Sequence, residues 1–130
     1  MAKIDMIGIA VKNMPRALAF YRALGLDIPS EMDTEGHVSI TTPNGYRMAW
    51  DTQDVIKSFD SDWTPPAENK PGRIGLAFLC DNAADVDATY KRLVGLGYRS
   101  HKEPWDAFWG QRYAQVLDPD GNAVDLFAPL

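Results

Sequence analysis

The chemistry available to this chain lies in two stretches. His37, Arg47 and Asp51 fall in one; Trp105, Phe108, Trp109, Gln111, Tyr113, Gln115 and Asp125 fall in the other, with Arg73 between them. A histidine near a carboxylate can move protons at neutral pH. Indole and phenyl rings stack on flat groups, and Arg, Gln, Tyr and Asp orient a ligand by hydrogen bonds. These side chains are the candidate ligand contacts. His37 reads either as a general base or, more simply, as a strand-end histidine touching solvent, and His101, in a charged stretch beside Glu103, reads as a surface residue. No catalytic residue is assigned. Ser39 and Thr41 have no placed base to make a nucleophile of them, and no glycine-rich phosphate loop is present.

A weak internal repeat supplies the elements that must position these residues. Ile7-Gly8-Ile9-Ala10-Val11 returns as Ile74-Gly75-Leu76-Ala77-Phe78, a shift of 67; Ala17, Tyr21 and Leu24 return as Val86, Tyr90 and Leu93, a shift of 69. Pro43-Asn44-Gly45 returns as Pro119-Asp120-Gly121, a shift of 76. Growing shifts describe two copies of one unit with insertions in the second. Each copy opens on a period-two strand, near Ile7–Val11 and Arg73–Cys80. A helix follows, capped by Asn13 with Pro15 in its first turn, or by Asp81 or Asn82. Its apolar stripe is Ala17, Leu18, Tyr21 and Leu24, or Val86, Tyr90 and Leu93, and glycine ends it. Three strands are then expected per copy: Asp27–Met32, His37–Thr42 and Tyr46–Asp51, then Tyr98–Lys102, Gln111–Leu117 and Asn122–Phe127. The expected fold is α+β, two βαβββ units spanning 1–51 and 73–130, with 52–72 as a proline-bearing linker.

Turn chemistry assigns the strand faces. Pro-Asn-Gly and Pro-Asp-Gly suit a type I turn followed by a left-handed glycine, which sets Ser39 opposite Ala49 and Gln115 opposite Asp125. Val38, Ile40, Met48 and Trp50 then share a face, as do Ala114, Val116, Val124 and Leu126; both faces suit the underside of a helix. The opposite face gathers the polar candidates and is either a solvated sheet or a ligand cup. Trp63, Trp105, Phe108 and Trp109, read as lying in connecting segments, favour the cup.

Composition narrows the partners. The chain has 130 residues, 45% of them hydrophobic, and a formal charge of −5 with no basic run, so a nucleic-acid partner is not expected. Cys80 is the single cysteine, which excludes an internal disulfide, and it reads as an inert thiol. No apolar stretch approaches the ~20 residues of a membrane span, and the first residues lack a signal-peptide core, so a cytoplasmic location is expected.

The segment from Met14-Pro15-Arg16-Ala17-Leu18-Ala19-Phe20-Tyr21 to Leu24-Gly25-Leu26 resembles the vicinal oxygen chelate superfamily, also called the glyoxalase/bleomycin resistance protein/dioxygenase family. Trp109-Gly110-Gln111-Arg112-Tyr113 leading to Asp118-Pro119-Asp120-Gly121-Asn122 resembles it too. The resemblance implies a cup-shaped mixed sheet with helices on its outer face, a homodimer, and often a divalent metal held by His, Gln or Glu on the first and last strand of each unit. Here those positions read as Met6, Ala49, Arg73 and Asp125. Only Asp125 suits such an ion, and a guanidinium would repel it. An Arg73–Asp125 ion pair is therefore expected where relatives keep a metal, the simpler alternative being an Arg73 that points to solvent. No metal or other cofactor is expected. The chain then reads as a small-molecule-binding member of the family, the alternative being a metal-dependent lyase, isomerase or dioxygenase.

Overall fold

The computed structural model describes residues 1–68 and 70–130, which form two compact units, Met1–Pro65 and Pro66–Leu130. Among the described residues the fold is α+β, with seven strands and three helices in two mixed sheets.

The first unit runs β1 (Ile7–Val11), α1 (Met14–Leu24), a short 3-10 turn (Ser30–Thr34), β2 (His37–Thr41), β3 (Arg47–Thr52) and α2 (Gln53–Phe59). Its sheet has the order β1-β3-β2, with β1 parallel and β2 antiparallel to β3. Helix α1 starts where Asn13 Oδ1 accepts the Arg16 N–H at 3.0 Å and stops at Gly25, whose φ is +121°. Ala17, Leu18, Phe20 and Tyr21 of α1 are fully buried, as are Val38 and Trp50 of the sheet. Burying each such aliphatic side chain stabilises the unit by roughly 1.5–3 kcal/mol.

The second unit runs β4 (Leu76–Leu79), α3 (Ala83–Gly95), β5 (Arg99–Ala107), β6 (Gln111–Leu117) and β7 (Ala123–Pro129). Its sheet order is β4-β7-β6-β5, the same frame with one further strand at the edge. Asn82, not Asp81, caps α3 through its side chain, accepting the Asp85 N–H at 2.9 Å. The Asp85 carboxylate answers by accepting the Asp81 N–H at 3.0 Å. Val86 and Leu93 pack with Ala114, Val116, Val124 and Leu126 under α3, all of them fully buried.

Both hairpins take the register expected from their turns: Ser39 faces Ala49 and Gln115 faces Asp125. Gly45 and Gly121 sit at φ +91° and +87°, in the left-handed region that the turn demands.

Three expectations about the elements are corrected. Residues 27–32 form no strand. The Arg22 guanidinium takes the carbonyls of Ile28 and Pro29, each at 2.8 Å, and the Asp33 carboxylate at 2.8 Å, so this backbone is held by a side chain instead of a ladder. The strand expected at 98–102 runs on to Ala107, so Trp105 lies in β5 and not in a connection. Its register against β6 slips between Ser100 and Lys102 and again between Lys102 and Trp105. Those bulges break the period-two pattern around Pro104, which lacks an N–H and is tolerated at an edge. The third correction concerns α2, capped by Thr52, which occupies part of the segment expected to be linker. Asn69, also in that segment, lies outside the described residues.

The repeat itself is also tidier than its sequence traces. Gly8 pairs with Ala49 and Ala77 with Asp125, so the first strands are related by a shift of 69, as the helices are. The hairpins are related by 76, and the seven residues gained are spent between helix and hairpin, where β5 lies.

Candidate ligand-binding face

The side of the second sheet turned away from α3 carries its half-buried polar and aromatic residues. Three cross-strand rows build it, because side chains directly opposite on neighbouring strands stand side by side. Lys102, Gln115 and Asp125 make one row, Trp105, Tyr113 and Phe127 the next, and Gln111 begins a third. Tyr113 is the centre. Its ring lies 5.4 Å from Trp105, 5.4 Å from Trp109 and stacks on Phe127 at 6.1 Å. Trp105 and Trp109 meet edge to face at 6.1 Å, and Phe108 meets Trp109 at 5.1 Å. The Trp109 indole N–H donates to Gln111 Oε1 at 2.8 Å, which ties the β5–β6 turn to the face. Phe108 is almost fully exposed at that turn.

Asp125 supplies the charge. Its carboxylate accepts the Tyr113 hydroxyl at 2.6 Å and the Gln115 amide at 2.9 Å. Two oxygens offer about four acceptor sites, so room remains for a ligand donor. Burial first, then the hydrogen bond and negative charge of Asp125, push the Tyr113 phenol up to about 12. A pKa raised in the folded state marks stability complete below the ordinary tyrosine value near 10 and lost as pH rises through about 12. In a phenolate absorbance titration one tyrosine is therefore expected to ionise late, and Asp125→Asn to bring it down. Tyr98 is also raised, by burial alone. A late step surviving in Tyr113→Phe would assign it to Tyr98 and defeat the expectation.

The Arg73–Asp125 ion pair does not form. Arg73 lies upstream of β4 and is exposed, and the residue beside Asp125 on that strand is Ala77. The uniform shift of 69 explains this: Met6 corresponds to Gly75, and Arg73 corresponds to Ile4, which precedes β1. Arg73 thus precedes β4 and is not in its pairing with β7.

In the first unit His37 and Asp51 are cross-strand partners, with His37 Nδ1 2.6 Å from Asp51 Oδ1. The carboxylate orients the imidazole, whose side chain is half exposed, an arrangement able to exchange a proton. Arg47 pairs with Asp5. Ala49, between these two pairs, is fully buried.

The metal positions implied by the resemblance now read Met6, Ala49, Gly75 and Asp125. A thioether, two positions without a donor and one carboxylate already accepting two hydrogen bonds do not fit a hard or borderline dication. Among the described residues no three of His, Cys, Asp and Glu gather as an ion site. Cys80 is half-buried, and burial first pushes its thiol up, as in an unreactive cysteine.

Sequence reasoning had not counted Lys102 or Phe127 as candidate contacts. Phe127 was signalled by its alternation with Asp125. Lys102 had no signal, since the bulges that bring it to this face are invisible in the residue pattern.

Two βαβ-hairpin units with the same strand frame define the class of paired βαβββ proteins. The model for the Glyoxalase/Bleomycin resistance protein/Dioxygenase superfamily matches residues 3–126, and the chain belongs to that superfamily. Among solved structures, a hypothetical protein from S. aureus superposes with a TM-score of 0.81 at 19% identity, covering 98% of this chain and 95% of its own. A glyoxalase/bleomycin resistance protein/dioxygenase family enzyme from Burkholderia phytofirmans PsJN superposes at 0.78 with 16% identity, over 99% and 100% of the two chains. A glyoxalase/bleomycin resistance protein/dioxygenase from Nocardioides gives 0.75 at 21%, over 100% and 85%. These likenesses show the fold. No curated protein matches the chain.

Proposed function

We propose that this chain is a small-molecule-binding member of its superfamily that works without the family metal. One observation carries the reading: Asp125, the single metal-competent residue at the implied positions, is held by Tyr113 and Gln115 within an aromatic wall. Such a wall with a few fixed polar groups is what an organic ligand with a flat portion requires. Gln111, Gln115, Tyr113 and Asp125 orient the ligand, and Trp105, Phe108 and Trp109 cover it. A cytoplasmic homodimer completes the reading, supported by family membership and by the lack, among the described residues, of a helix long and apolar enough to cross a membrane.

The His37–Asp51 pair favours a second reading, an enzyme of the lyase, isomerase or dioxygenase kind with that pair moving protons. Elemental analysis of protein expressed with Zn, Ni, Mn and Fe available separates the two. A substoichiometric trace, and no thermal shift on adding any of the four, is the expected result. A stoichiometric ion that raises the melting temperature would overturn the metal-free reading in favour of the enzyme.

A further inference from the structure

We propose that the face around Tyr113 receives an organic ammonium group, and that Lys102 is its built-in competitor. This rests on the ligand-binding reading above and names the ligand class. The observation is internal to the chain. Lys102 Nζ stands 4.0 Å from the centroid of the Trp105 ring, well within the ~6 Å over which a cation is drawn to an aromatic face. Among the described residues, Lys102 forms no ion pair with Asp125, although both belong to the row that Gln115 bridges. Its stem, anchored on the edge strand opposite Gln115, holds the ammonium over the ring, two strands away from the strand that carries Asp125.

An untethered ammonium has no such limit. It can lie against Trp105 and Tyr113 and meet Asp125, whose two bound donors leave acceptor capacity free. The charges elsewhere agree. Arg73 lies upstream of β4 and, among the described residues, forms no ion pair with Asp125, so it does not prepare the carboxylate for an anion. The net charge of −5 adds a weak general attraction for cations.

The probe is benzyldimethylammonium, which keeps one N–H for Asp125, set against its uncharged isostere isobutylbenzene and followed through the indole N–H signals of Trp105 and Trp109 in NMR titrations. The cation is expected to shift both signals, and the isostere to bind about tenfold more weakly or worse. Lys102→Met removes the competitor and is expected to tighten the cation about threefold to fivefold. Asp125→Asn keeps an acceptor for Tyr113 and is expected to weaken it about tenfold. Equal binding of both probes, unmoved by Asp125→Asn, would overturn the ammonium assignment and leave the binding face standing. Unchanged affinity in Lys102→Met would overturn the competitor role. If neither probe moves the indole signals, this proposal and the binding role of the face both fall.

Discussion

Gly121→Ala is expected to destabilise the second unit far more than Gly45→Ala destabilises the first, although the two glycines hold the same place in the repeat. Both are left-handed, at φ +87° and +91°, so each pays the strain of placing an L side chain there, about 1–2 kcal/mol. The surroundings differ. A Cβ on Gly45 meets no atom within 4 Å, whereas one on Gly121 falls 1.9 Å from the backbone carbonyl oxygen of Glu68. A backbone atom cannot swing aside as a side-chain tip would, so the backbone at Glu68, at the start of the second unit, must shift. That adds about 1–3 kcal/mol, as overpacking does elsewhere. Urea unfolding of the two variants measures the difference directly. Equal losses would mean that the close approach at Gly121 contributes nothing.

Trp50→Ala is expected to lower the unfolding free energy by about 3–5 kcal/mol, the range for removing a large aromatic from a core. Trp50 is fully buried in β3, with its ring 5.3 Å from that of Tyr21 on α1, so the indole joins the sheet to its helix. Its Nε1 is buried and makes no hydrogen bond. An unpaired buried donor costs about 1–3 kcal/mol, which truncation to alanine recovers in part. Trp50→Phe therefore discriminates: it removes the unpaired N–H while leaving a ring against Tyr21, and its loss is expected to stay under about 2 kcal/mol. Denaturant midpoints for the two variants give the comparison. A phenylalanine variant as unstable as the alanine variant would show that the indole N–H is stabilised after all.

Much of the frame was legible from local chemistry. The caps at Asn13 and Asn82, the helix stop at Gly25 and the two left-handed turn glycines are short-range signals, and each sits where its residue type predicts. The hairpin registers followed from those turns, and with them the division between the face under the helix and the face carrying Asp125. What failed was long-range or non-periodic. Arg22, six residues before Ile28, captured carbonyls that a strand would have used. The short apolar run at 74–78 could be aligned at 67 or 69, and only its pairing with β7 decides. That two-residue slip is what carried Arg73 into a partnership with Asp125 that the fold does not make.

The candidate site divides along the same line. Which residues share the open face of the hairpin follows from local chemistry, because side chains alternate with period two and the turn sets the phase. That Tyr113 and Gln115 both hold Asp125 emerges with the folded sheet. Strand pairing also brings Lys102 and Trp105 to one side of β5, where an odd separation would put them on opposite faces of a regular strand. The bulges reverse that parity, and a bulge is set by how two strands pair, which neither strand's own residues reveal.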